Sequence, residues 1–328
     1  HLSLRRQRQM CIRDRLLSLN ETQKHKFENI RSDLKITYAN PKTINASEIE
    51  KYDIIIGNPP INTLKQPKKL KLLQLSSAGS DNYSKEGILD PHTILTNATG
   101  AYGLAISEYM LAGVLMLYKK LHLYSFNKQL PLWQNMGKVK SIEGSRVLII
   151  GMGDIGSEFG KRMKSLNAYT VGIRRTLSDK PDYIDEISTM DKLDELLPTV
   201  DIIALSLPQT KETIHLMTKE RLLLTKKDAM IINVGRGSIL DLHELNDVLN
   251  QGHLLGAVLD VTDPEPLPLN HEVWNQPNVI ITPHVSGGWS LDTTFEKMLE
   301  ISYQNLCHYL NHEELKNVVD FSTGYRKI

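Results

Sequence analysis

A glycine-rich run, Gly151-Met152-Gly153-Asp154-Ile155-Gly156, follows directly on the apolar string RVLII and leads into a helical pattern. Glycines at this spacing between a strand and a helix suit a pyrophosphate cradle. The first permits a tight turn, the second lets the backbone approach the phosphates, and the third lets the helix pack on the strand. The helix N-terminus adds unpaired N–H groups for the negative charge. Incidental glycines in a strand–turn–helix are the plainer reading, and the flanking elements argue against it. Three further residues sit in turns after apolar strings. Arg236 is flanked by glycines, Glu265 lies between two prolines, and His284 follows Pro283. A guanidinium can grip a carboxylate and an imidazole can move a proton near neutral pH. Taken singly, each also reads as an exposed turn Arg, a loop Glu or a capping His.

The end of the strand after the glycine loop bears on which dinucleotide would fit. A carboxylate there would bind a ribose 2′-hydroxyl. The chain instead reads Arg174-Arg175-Thr176. Guanidinium groups pair with phosphate in a bidentate manner, which favours a 2′-phosphate and hence NADP, with NAD possible if the arginines are only a solvated strand end.

The elements that would position these residues alternate strand and helix, the mark of a parallel α/β architecture. Short apolar runs at 34–38, 53–57, 70–75 and 93–96 suggest a first small domain. Apolar positions at three- and four-residue steps then predict one long helix over about 101–126. Strands are expected at 145–150, 169–173, 201–207, 229–234, 254–259 and 279–281. Helices are expected at 155–166, 190–197, 242–250 and 291–310. The last should return to the first domain. The expected division is 16–98 with 292–328 for one domain and 99–291 for the dinucleotide-binding domain.

Residues 1–15 stand apart. They carry five arginines against Asp14, and without them the net charge falls from +1 to −3. A basic arm for nucleic acid, an Arg-rich targeting peptide and foreign sequence are the three readings. The string RQRQMCIRDR resembles translated adapter sequence fused to a truncated gene. We therefore set 1–15 aside as non-native and expect the first strand to be missing. A net charge of +1 gives no reason to expect nucleic acid as a partner. No apolar run approaches the ~20 residues of a membrane helix, so no membrane partner is expected. Two distant cysteines, Cys11 and Cys307, make neither a disulfide framework nor a metal cluster, and fit a reducing, cytoplasmic setting.

Four strings in order, GMGDIG, INVGRGSILD, AVLDVTDPEPL and ITPHVSGG, resemble the D-isomer-specific 2-hydroxyacid dehydrogenase family over about residues 30–320. The resemblance implies a Rossmann dinucleotide-binding domain inserted into a smaller flavodoxin-like substrate domain. It also implies NAD(P)-dependent interconversion of a small 2-keto acid and a D-2-hydroxy acid. Arg236 would hold the substrate carboxylate and polarise the carbonyl, His284 would be the proton donor and acceptor, and Glu265 would hydrogen-bond the imidazole. Ala78 and Gly79 match the loop whose amides meet the substrate carboxylate. Leu207, Pro208, Thr213, Val234, Gly235, Asp260 and Gly287 match cofactor-lining positions, Asp260 near the nicotinamide carboxamide. Ser206 and Thr262 depart from the family, which often carries His and an aromatic there, and neither is expected to touch the chemistry. The helical stretch 101–126 would form a two-fold homodimer contact, or else an internal core element.

Two other functions share this fold. A formate dehydrogenase needs no proton donor to a keto oxygen, and its pattern has an amide where this chain has Glu265. A dinucleotide-sensing corepressor keeps the same triad, but usually with extended tails that are not evident here.

Overall fold

The computed structural model describes residues 10–14, 19–38, 44–127, 132–177 and 179–326. The chain divides into two compact units, His1–Ala101 with Phe295–Ile328, and Tyr102–Thr294.

The first unit is built on β1 (Met10–Asp14), β2 (Leu34–Tyr38), β3 (Ile54–Ile56), β4 (Leu72–Gln74) and β5 (Ile94–Thr96), with α1 (Glu21–Glu28) and α2 (Ala46–Ile49) between strands. All pairings are parallel and the order is β2-β1-β3-β4-β5. That is the flavodoxin-type order. The strand interiors Ile54–Ile56 and Leu72–Gln74 are fully buried, as a parallel sheet covered on both faces requires. Residues 1–15 were set aside as outside the fold, yet Met10–Asp14 forms β1 and pairs with both β2 and β3. The reason is that a parallel ladder is made by backbone groups, and an extended segment can complete it whatever its side chains.

The second unit follows chain order through β6 (Arg146–Ile150), β7 (Tyr169–Arg174), β8 (Glu186–Thr189), β9 (Ile202–Leu205), β10 (Met230–Asn233), β11 (Gly256–Leu259) and β12 (Val279–Ile281). The sheet is parallel throughout, in the order β12-β11-β10-β9-β6-β7-β8. Counted from β6, this is the doubly wound dinucleotide-binding order with one strand added beyond β11. The order reverses between β6 and β9, and such a switch point places ligands outside the carboxyl ends of the strands. The helices are α3 (Gly103–Tyr118), α4 (Leu121–Asn127), α5 (Asp154–Ser165), α6 (Leu193–Leu196), α7 (Lys219–Leu224) and α8 (Leu242–Asn250). The chain then enters α9 (Asp292–Asn311), most of which lies in the first unit, and ends with the short pair β13 (Val319–Asp320) and β14 (Tyr325–Arg326).

Two local expectations change. The long helix over 101–126 is two helices, α3 and α4. Lys120 adopts φ 58°, a left-handed conformation that stops a helix, and its ammonium is tied to the Met136 carbonyl. The edge strand β8, EIST, was not anticipated. Its residues are only half-buried and all but Ile187 are polar, so no apolar run marks it.

α3 buries Ile106, Met110, Val114 and Leu117 and packs on α5 and β11. Gly113 sets the approach. A Cβ there would lie 2.8 and 2.9 Å from the two methyls of Val258 on β11. Alanine would gain about 1 kcal/mol in an exposed helix. Here overpacking against a branched, stiff side chain wins, at about 1–3 kcal/mol. Gly113→Ala is therefore expected to lower the urea unfolding midpoint, and an unchanged or raised midpoint would show that the contact yields.

Candidate active site

The loops at the carboxyl ends of the second unit's strands carry most of the residues singled out above. After β6, Gly151 has φ 103°, and a Cβ there would meet the Ser206 carbonyl oxygen at 2.9 Å. At Gly156 a Cβ would lie 2.1 Å from the Gly151 carbonyl oxygen. Gly153 is the N-cap of α5, and its lack of a side chain leaves the first turn without a side-chain cap. Its early N–H groups can then serve an anion. Met152 packs over Gly172 of β7. Arg174 ends β7 half-buried, and Arg175 and Thr176 follow it exposed. A cradle closed to side chains, an uncapped helix start and two arginines at the adjacent strand end fit a phosphorylated dinucleotide.

Asp154 does something the sequence does not suggest. Its carboxylate accepts the Gly103 N–H at 2.7 Å and so caps α3. Ser206, treated above as inert, donates its hydroxyl to the Gly151 carbonyl at 2.8 Å and pins the first glycine. Thr213 donates to the Pro208 carbonyl at 2.7 Å and accepts the Thr210 N–H at 2.8 Å, closing the turn after β9. A Cβ on Gly235 would lie 2.5 Å from the Leu207 carbonyl oxygen, so the turns carrying Leu207–Pro208 and Val234–Gly235 meet backbone to backbone.

Arg236 follows β10 on a loop held by Asn233. The buried Asn233 amide donates to the Arg236 carbonyl at 2.9 Å and accepts the Gly235 N–H at 3.1 Å. A polar residue closing the otherwise apolar strand MIIN is the signal that could have found it. The Arg236 guanidinium is half-buried and donates to the Gly235 carbonyl at 2.8 Å.

His284 and Glu265 are brought together. Nδ1 of His284 lies 3.0 Å from Oε2 of Glu265, with both side chains about half exposed. Ionised glutamate can only accept, so Nδ1 carries the proton of this bond and Nε2 is left for another partner. His284 has φ 54°, a conformation that costs a non-glycine residue about 1–3 kcal/mol and persists only where neighbours impose it.

Asp260 imposes it. Its carbonyl accepts the His284 N–H at 2.9 Å. Its carboxylate, 1% exposed, accepts the Val285 N–H at 2.9 Å, the Ser286 N–H at 3.0 Å, the Ser286 hydroxyl and the Thr282 hydroxyl at 2.6 Å. Since Thr282 donates to Asp260, the Tyr109 hydroxyl of α3 is the donor in its 2.7 Å contact with Thr282. Burial pushes the Tyr109 phenol up to about 12, so it remains protonated at neutral pH. Both carboxylate oxygens of Asp260, expected near the nicotinamide, thus bond the turn that carries His284. Gly287, one residue on, has Ile106 and Tyr102 3.1 and 3.3 Å from where a Cβ would stand.

In the first unit, Ala78 and Gly79 lie on the loop after β4. Asn58 accepts the Ser76 N–H and hydroxyl at 2.9 Å each and donates to the Ser77 hydroxyl at 2.9 Å. Asn97 donates to the Ala78 carbonyl at 2.9 Å. Among the described residues the N–H groups of Ala78 and Gly79 make no hydrogen bond, which leaves them available to an anion. The same residues include no cluster of three or more His, Cys, Asp or Glu able to hold a metal ion.

The family model for the D-isomer specific 2-hydroxyacid dehydrogenase NAD binding domain matches residues 111–286. A glyoxylate reductase of Pyrococcus horikoshii is 32% identical over 75% of this chain and 75% of its own length. A D-isomer specific 2-hydroxyacid dehydrogenase family protein of Aeromonas salmonicida superposes with TM-score 0.82 at 28% identity, over 95% of this chain and 99% of that one. A D-isomer specific 2-hydroxyacid dehydrogenase of Xanthobacter autotrophicus Py2, solved with NADPH and MES, has TM-score 0.80 at 23% identity over 96% and 99%.

Asp260→Asn tests the anchor of His284. The amide keeps one accepting oxygen and turns N–H groups toward atoms that are themselves donors. The expected loss is about 1–3 kcal/mol of stability in urea. A variant as stable as the wild type would remove Asp260 as the anchor.

Proposed function

The chain belongs to the D-isomer specific 2-hydroxyacid dehydrogenase family and is an NAD(P)-dependent oxidoreductase of 2-hydroxy acids, and from that premise we propose which of its residues carry the reaction. Arg236 holds the carboxylate of a 2-keto acid with its fork of donors and polarises the adjacent carbonyl. His284 gives a proton from Nε2 to the carbonyl oxygen in reduction and takes it back in oxidation. Glu265 holds the imidazole by Nδ1 and fixes its orientation. The amides of Ala78 and Gly79 bind the substrate carboxylate. When bound, the reduced nicotinamide supplies the hydride. The observation that carries this reading is the 3.0 Å contact of His284 Nδ1 with Glu265, which leaves Nε2 for substrate.

Gly151, Gly153, Ile155 and Gly156 take the pyrophosphate, and Arg174, Arg175 and Thr176 take a 2′-phosphate, so NADP is the preferred cofactor. A small keto acid such as glyoxylate or hydroxypyruvate is the substrate class, in keeping with the glyoxylate reductase relative. A homodimer is supported by Leu121, Tyr124, Leu132 and Trp133, which are all exposed in or just after α4. Light scattering should then give twice the 37.2 kDa chain mass.

The test is oxidation of NADPH and of NADH with a panel of 2-keto acids. Wild type should prefer NADPH, and Arg175→Asp should shift the preference toward NADH. His284→Ala should lose about 10²–10⁴ in kcat, the usual contribution of a general acid–base group. Full turnover without His284 would sink the assignment, and equal use of the two cofactors would sink the role given to the arginines.

A further inference from the structure

Thr262 is the point where the three branches of the site meet. It stands three residues beyond the end of β11 and is 8% exposed. Its N–H donates to Oε1 of Glu265 at 3.0 Å, while the other oxygen of that carboxylate meets His284. Its hydroxyl donates to the Pro264 carbonyl at 2.9 Å, closing the short turn that carries the chain from Thr262 to Glu265. From the other side, the loop after Arg236 lies flush on its backbone: a Cβ on Gly237 would fall 2.0 Å from the Thr262 carbonyl carbon and oxygen.

A half-exposed glutamate on a loop has several rotamers, and fixing one costs conformational entropy. Here one carboxylate oxygen is held by the backbone of the very turn that bears the side chain, so the other is aimed at the imidazole. That aim holds only while the turn keeps its shape, and the Thr262 hydroxyl is the side-chain group that closes it. We propose that Thr262 is a positioning residue of the reaction, whose hydroxyl sets Glu265 on His284 while its backbone seats the Arg236 loop. The inference rests on the roles proposed above for Arg236, Glu265 and His284. A larger apolar side chain at 262 would fill space but could not make this bond. Serine would make it with less packing.

The experiment compares Thr262→Val, which removes the hydroxyl at nearly constant volume, with Thr262→Ser, which keeps it. Glu265→Gln and His284→Ala serve as references. Each full-length variant is assayed with NADPH and the 2-keto acid that wild type reduces best, and dinucleotide affinity is measured by fluorescence. The valine variant should lose about tenfold in kcat with KM for the keto acid moving less than about twofold, the pattern of an interaction realised only in the transition state. Dinucleotide affinity should hold, and serine should restore kcat. If the valine variant does not fold, Thr262→Ala removes the same hydroxyl without the branched methyl and is read the same way. Wild-type kcat in the hydroxyl-less variant, or a serine variant as slow as valine, overturns the role of Thr262 alone. Wild-type kcat in both reference variants overturns the site reading on which it stands.

Discussion

A carboxylate taken out of water must be surrounded by donors or give up its charge. Asp260 is such a group, and the geometry of His284 hangs on it. The donors are gathered from one short stretch, Thr282 to Ser286, with Tyr109 supporting Thr282 from α3. Satisfying the buried charge therefore dictates the path of the chain there. It holds His284 in a left-handed conformation that the residue would not take unaided. The strain at His284 and the satisfaction of Asp260 are two sides of one arrangement.

The other half of the site is made by exclusion. Gly156, Gly235 and Gly237 each bring backbone against backbone at distances no Cβ could survive. Gly156 closes the cradle after β6 on its own first glycine, while Gly235 and Gly237 fit the turns after β9, β10 and β11 into one another. Polar side chains then lock the fit: Ser206 on Gly151 and Asn233 on the Arg236 loop. These are neutral groups bonded largely to backbone, and they order the loops without charge that would compete for an anionic ligand.

Much of this was legible in the amino-acid sequence because it is written in composition. Strands buried on both faces spell near-continuous apolar runs, so β6, β9, β10 and β11 were found, and the strand–glycine loop–helix context of GMGDIG pointed to a dinucleotide. Arg236, Glu265 and His284 came from the order of four motifs. What escaped lacks such a pattern. β8 is a mostly polar edge strand, and the break between α3 and α4 depends on one backbone angle at Lys120. Asp154 also caps α3 with its carboxylate, and Ser206 and Thr262 had been set aside as substitutions without consequence. Their roles arise from partners far away in sequence or from the closure of a tight turn, and residue type alone carries no record of either.

The close backbone fit at Gly235 and Gly237 has an evolutionary consequence. A position where every side chain collides cannot drift, so mutation cannot tune the chemistry by remodelling the Arg236 loop. Adaptation to a new keto acid has to be written on segments whose side chains face open space. In a lineage of such enzymes the reaction would stay fixed for steric reasons while substrate range diversified around it, and a library for altered specificity should leave residues 233–237 untouched.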